Sequence, residues 1–199
     1  MIIDPLFYAM AVPSVILIGL SKGGLTGLGV LAVPLMAIVA SPMQAAAVLM
    51  PILLILDLVA VWTYRKSFDK ITLIITIPSS IIGIIIGAVL VSQVNPDWIR
   101  VIIGFIAISF TISHWRTAKD RGSKGHSIFR GTVWGSITGF TSFVTLTGAP
   151  PYQMYLLPLK LDQRTYAGTF MIFFWVNNIL KIIPFMMLGE MTRSTITTS

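Results

Sequence analysis

Cysteine is absent from the 199 residues, which removes disulfides, thiolate metal sites and cysteine nucleophiles together. Charge is scarce: 11% of residues are charged against 55% hydrophobic, too little to cover the surface of a soluble domain of this length. The two histidines, His114 and His126, fall at a helix end and in a basic loop without metal-ligand spacing. No Ser/His/Asp grouping forms, and the glycines lack the strand and helix context of a nucleotide fold. The chain therefore reads as a non-enzyme that needs no metal or cofactor. The N-terminal "MIIDPLFYAMAV" has Asp4 in place of a basic n-region and no small-residue cleavage site, so the first segment reads as a retained span rather than a signal peptide. Strict period-two alternation is missing too, which argues against a membrane barrel.

What is present is apolar length. Apolar segments recur at roughly 5 to 20, 28 to 40, 44 to 64, 71 to 92, 98 to 115, 131 to 147, 150 to 159 and 165 to 188. A helix needs roughly 20 residues to cross a hydrocarbon core of about 30 Å. Lipid tolerates only helices or closed barrels, so the fold class is an all-α, polytopic membrane protein, expected in the cell (inner) membrane with lipid as its solvent. Segments 28 to 40 and 150 to 159 are too short to span comfortably, and each follows a glycine- or proline-rich break, as half-helices or re-entrant arms would. The net charge of +7 lies in short loops, where it sets topology rather than binding nucleic acid. The loop 65 to 70, "RKSFDK", and the loop 116 to 130 are expected to be cytoplasmic, the stretch 93 to 100 and the N-terminus to be outside. Trp62, Trp98, Trp115 and Trp134 lie near segment ends, as an interfacial belt requires.

Sliding the chain on itself by about 120 residues sets Gly19 on Gly139, "SKGG" on "TSFV", "SPMQAA" on "LDQRTYA" and Asp57 on Asn177. Five elements separate the two starts, and an odd number inverts the second copy in the membrane. This is the inverted-topology repeat of many secondary transporters, whose interrupted segments point to the substrate site. The domains expected are a first transmembrane repeat at 1–117, a basic cytoplasmic loop at 118–130 and a second repeat at 131–199. The second copy is shorter than the first, as expected of a fragment of a longer protein or, less simply, of a fold that two copies close together.

The chemistry collects at the two breaks. In "GLSKGGLTGLG", residues 19 to 29, Gly19, Gly23 and Gly27 fall four apart, so a packing ridge is one reading. Ser21, Lys22 and Thr26 bring polar groups with them, Lys22 either as a site residue at membrane depth or as a cytoplasmic loop residue between two spans, and consecutive Gly23 and Gly24 each weaken a helix by about 1 kcal/mol. An unwound stretch there would offer backbone N–H groups and a helix N-terminus to an anion. "GIIIG" at 83 to 87 reads as packing only. The second break, "FTSFVTLTGAPPYQMYLLP", supplies Thr141, Ser142, Thr145, Thr147, Gly148, Tyr152 and Gln153, with Pro150 and Pro151 interrupting the helix. Asp57, mid-segment in "PILLILDLVAVW", is a carboxylate at membrane depth, suited to proton coupling or to pairing with Lys22. Asn177 and Asn178 lie at the related depth of the second copy as anion donors or helix glue. Lys181, one turn on, is expected to snorkel outward. Lys160 and Arg164 follow from the positive-inside rule.

Four blocks carry a family resemblance: "GLSKGGLTGLGVLAVPLMA" at 19 to 37, "MPILLILDLVAVWTYRKSFD" at 50 to 69, "TGFTSFVTLTGAPPYQMYLLP" at 138 to 158 and "GTFMIFFWVNNILKIIPFMMLG" at 168 to 189. They resemble the sulfite exporter TauE/SafE family of multi-pass permeases, linked to sulfite and organosulfur anions. The resemblance implies an inverted repeat and chains of about 250 residues. It departs at Ala149, where many relatives carry glycine, and near Leu146, where they often carry histidine. The expected function is a secondary transporter that exports a small oxyanion, sulfite or a sulfonate, by alternating access with Asp57 as the coupling group. A non-transporting membrane scaffold and a passive anion channel are the alternatives. A small anion and the bilayer are the expected partners, and a homodimer is compatible with both.

Overall fold

Asp69, Ser127 and Asp162 each accept a hydrogen bond from a backbone N–H in the turn that follows, and each opens a helix of 18 to 25 residues. A computed structural model of the chain describes residues 5–22, 28–40, 42–95, 97–98, 101, 105, 108, 125–146 and 148–189, with Lys22, Val30, Pro42 and Met43 described by backbone alone. The elements in order are α1 (Pro5–Lys22), a 3₁₀ turn (Leu28–Leu31), α2 (Ala32–Met36), α3 (Pro42–Tyr64), α4 (Lys70–Gln93), α5 (Ile128–Thr145), α6 (Ala149–Leu156), a second 3₁₀ turn (Leu157–Leu159) and α7 (Gln163–Met187). No strand occurs among the described residues.

Three of the described helices are long and apolar enough to cross a membrane: Gln44–Tyr64 within α3, α4 and α7. Isoleucines such as Ile55, Ile74 and Ile85 are exposed, while Ser14, Asp57, Ser80, Ser142 and Lys181 are fully or almost fully buried. Apolar outside and polar within is the arrangement that lipid as a solvent favours. The segments expected to be short are short: a 3₁₀ turn plus the five-residue α2 follow the first break, and α6 with its 3₁₀ turn follows the second. Among the described elements an 18-residue helix, a short helix and a long helix thus occur twice in the same order.

Side-chain contacts set the directions. A Cβ on Gly83 would strike the backbone of Ser136, and one on Gly139 would strike the backbone of Ser80. Gly135 sits 3.0 Å from the Thr76 carbonyl by the same measure, and the Ser136 hydroxyl donates to the Ser79 carbonyl at 3.0 Å. Contacts therefore advance together along α4 and α5, so the two helices run parallel and touch backbone to backbone, the small-residue packing that lipid-embedded helices use. Gly83 and Gly87 of "GIIIG" both belong to this seam. By contrast α3 runs antiparallel to α7, since Tyr64 and Ser67 meet Gly168 at one end and Asp57 meets Asn178 further along.

The loops that precede α4 and α5 lie on one face of the molecule. His126 Nε2 is 2.8 Å from the Asp69 carboxylate, and Asp69 N–H donates to Thr169 Oγ1 at 2.8 Å. Partial burial pushes the Asp69 carboxyl up, but hydrogen bonds from Thr72 and the His126 partner outweigh it and hold it below the usual carboxylate range. Arg65 stacks its guanidinium 3.9 Å from the ring centre of Trp62, near the same end of α3. Both expected cytoplasmic loops, as far as they are described, thus lie together.

Candidate functional site

A cavity of about 930 Å³ is bordered by residues that flank both breaks, with α1 and α2 on one side, α6 and α7 on the other, and α3 along it. Gly19, Ser21 and Gly29 border it from the first break, and Ser142, Leu146, Ala149 and Gln153 from the second. Along α3 it reaches from Leu53 to Tyr64, and along α7 from Asn178 back to the exposed Gln163 and Arg164. It therefore runs from the depth of Asn178 to the face that carries Arg65, Asp69 and His126. The wall is mainly apolar, with Ile18, Leu56, Val59, Phe170, Met171 and Phe174, and a few polar groups converge on it, the usual composition of a small-molecule site.

Two of those polar groups are backed by buried charge. Asn178 Nδ2 donates to Asp57 Oδ2 at 2.5 Å, and neither side chain is more than 3% exposed. Lys181 Nζ donates to the Ser142 carbonyl at 3.1 Å and to Ser142 Oγ at 3.0 Å, with Lys181 fully buried. Lys181 does not snorkel: it points inward at the C-terminal end of α5, where the free carbonyls of a helix favour a cation. Its register made this legible, since Lys181 follows Asn178 by three residues and Asn177 by four and so shares a face with two buried amides.

The chain leaves α5 through Leu146, which has φ 56° and ψ 10° and returns its N–H to the Ser142 carbonyl at 3.1 Å. A non-glycine residue in the left-handed region costs roughly 1–2 kcal/mol. Gly148, next in the described chain, admits the close return: a Cβ there would lie 2.7 Å from Ser142 Cβ and 3.0 Å from Phe174. Pro150 and Pro151 have no N–H and Tyr152 N–H returns to the Gly148 carbonyl at 3.2 Å. Among the described residues the start of α6 therefore keeps only the Gly148 and Ala149 N–H groups for any ligand.

Ser21, Ser142, Gln153 and Asn178 thus border one cavity, and Asp57 and Gly148 stand directly behind the Asn178 and Ser142 side of it. Thr145 is buried and gives its hydroxyl to the Thr141 carbonyl at 2.8 Å. Tyr152 is buried in an aromatic cluster, stacked on Phe173 at 3.9 Å. Asn177 is buried, with neither amide atom partnered among the described residues. None of these three lines the cavity. Gly23, Gly24, Thr26, Thr147 and the Lys22 side chain lie outside the described residues. Gly19 has nothing within 4 Å of a Cβ position, so it makes no packing ridge of its own. Among the described residues no cluster of His, Asp or Glu could hold a metal ion.

Apolar helices, buried polar contacts between them and a cavity between interrupted segments define a polytopic helical membrane protein. The sequence model of the sulfite exporter TauE/SafE family matches residues 11–198, and the chain belongs to that family. This makes it a membrane transport protein for sulfite-related anions. No curated protein and no solved structure matches it.

Proposed function

We propose that the chain exports a small oxyanion, sulfite or an organosulfonate, across the cell inner membrane by alternating access, with proton coupling through Asp57. Residues 1–117 and 131–199 are the two inverted halves and 118–130 the basic loop between them. The observation that carries the reading is the shared cavity, which Ser21 from the first break borders together with Ser142 and Gln153 from the second and Asn178 from α7. An oxyanion taken from water needs donors in return, and hydroxyl and amide groups supply them. Lys22, at the end of α1, adds positive charge at the first break. The mainly apolar remainder of the wall gives room for the carbon skeleton of a sulfonate.

The cavity reaches the face on which Arg65, Lys66, His126 and Arg164 gather, and by the positive-inside rule that face is cytoplasmic. A cavity that reaches this face supports loading from the compartment that an exporter empties. Sulfite flux in proteoliposomes with and without an imposed pH gradient tests the reading. Gradient-driven flux that falls in Lys22→Ala and Ser142→Ala is expected. Flux indifferent to the gradient would make the protein a passive channel, unchanged flux in Lys22→Ala would remove that residue from the site, and neither flux nor binding would make the protein a scaffold.

A further inference from the structure

We infer that Lys181 is a positioning residue that makes the site prefer doubly charged anions, by holding Ser142 with its oxygen toward the ammonium and its hydroxyl proton toward the cavity. The inference rests on the transport reading above and adds to it a source of positive charge deep in the protein.

The neighbouring hydroxyls show what Ser142 does differently. Thr138, Thr141 and Thr145 on α5 each donate to a carbonyl one turn back, at 2.6, 2.9 and 2.8 Å, the ordinary behaviour of such side chains in a helix. Ser142 lies among them, yet its oxygen accepts from Lys181 at 3.0 Å and its hydroxyl gives no bond to a carbonyl of the described residues. An oxygen engaged by an ammonium must place its own proton elsewhere, and Ser142 borders the cavity. A hydroxyl polarised by an adjacent cation is a stronger donor to an anion.

Capping α5 alone would need only the bond from Lys181 to the Ser142 carbonyl; the second bond ties the charge to the cavity wall. The field is also directional. Lys181 stands behind Ser142 on the α5 side, whereas Asp57 stands behind Asn178 on the α3 side. An oxyanion is thereby drawn toward Ser142 and held off α3. In a low-dielectric surround the attraction grows with the charge on the ligand, so doubly charged sulfite gains more from Lys181 than a singly charged sulfonate does.

The test is equilibrium binding to the purified full chain by titration calorimetry in mildly alkaline buffer, with sulfite as the dianion and methanesulfonate as the monoanion. Lys181→Met is expected to weaken sulfite by about tenfold or more, as loss of a charge-assisted contact implies, and methanesulfonate much less. Lys181→Arg, which keeps the charge, should keep most of the preference. A sulfite-to-methanesulfonate ratio in Lys181→Met equal to that of the unmodified chain overturns the inference. If Lys181→Met does not fold, Ser142→Ala carries the decision: it retains the ammonium and removes the hydroxyl, and an unchanged ratio overturns the inference equally. Binding of neither anion by the unmodified chain is a different result, since it removes the transport reading itself.

Discussion

Asn178 on α7 gives its side-chain N–H to the carboxylate of Asp57 on α3, across 121 residues of sequence. The contact joins two long helices at the deep end of the cavity, and Asp57 is the one buried acid among the described residues. A carboxylate at that depth is costly unless it is partnered, and the amide donor offsets part of that cost.

Asp57→Asn keeps an oxygen that can accept from Asn178 but removes the titratable charge. The loss of stability should be modest, about 1 kcal/mol, the difference between a charged and a neutral acceptor. Sulfite flux should lose its response to a pH gradient while binding persists. Gradient-dependent flux in this variant would remove Asp57 as the coupling group.

Substitution of glycine should have opposite effects at two positions. Gly139→Ala drives a methyl into the Ser80 backbone, which cannot rotate away, and overpacking of that kind costs about 1–3 kcal/mol. Gly19→Ala meets nothing within 4 Å in the interior of α1, so it should gain up to about 1 kcal/mol from helix propensity. Thermal unfolding of the detergent-solubilised variants reads both. A stable Gly139→Ala protein would mean that α4 and α5 separate more easily than their contacts imply.

Asn177 buries an amide that finds no partner among the described residues, a state that costs roughly 1–3 kcal/mol. Asn177→Leu should therefore raise the unfolding temperature. If the amide gains a partner only in the alternate conformation, the same change should slow transport. A faster variant, or a less stable one, would contradict this account.

Asp69 couples stability to pH. Its folded-state carboxyl lies below the usual range, so the stability it adds is complete above the unfolded value and is lost as pH falls through the folded one. Acid should therefore weaken the junction of α4, α5 and α7 before the apolar packing is affected. Asp69→Asn, itself a good helix cap, should flatten the acid limb of a melting-temperature profile. An unaltered limb would place the acid sensitivity elsewhere.

The sequence made the scaffold legible because lipid leaves few choices: apolar length implied helices, and the glycine and proline clusters at 19–29 and 148–151 marked both interruptions. The repeat offset makes Asp57 and Asn177 equivalent positions of the two copies and the sequence offers Lys22 as the partner of Asp57; the contact with Asn178 depends on how α3 and α7 pack and was not legible. Depth and rotation were harder to read. Lys181 looked like a snorkelling cation from its distance to the helix end, whereas its spacing from Asn177 and Asn178 placed it on the buried face. Tyr152 and Thr145 looked like site groups from their location in the break, yet side-chain direction sends one into an aromatic stack and the other back to its own helix. Composition reports what a segment contains, while direction depends on packing partners far away in the chain.

The glycine seam has a mechanical consequence. Where backbone touches backbone with no layer of flexible side chains between, two helices resist sliding, because every register but one brings a carbonyl against a Cα. Rearrangement of the cavity is therefore expected to leave α4 and α5 as a fixed keel. The displacement falls to α1, α2 and α3, and the Asp57–Asn178 contact is the latch that must yield or follow.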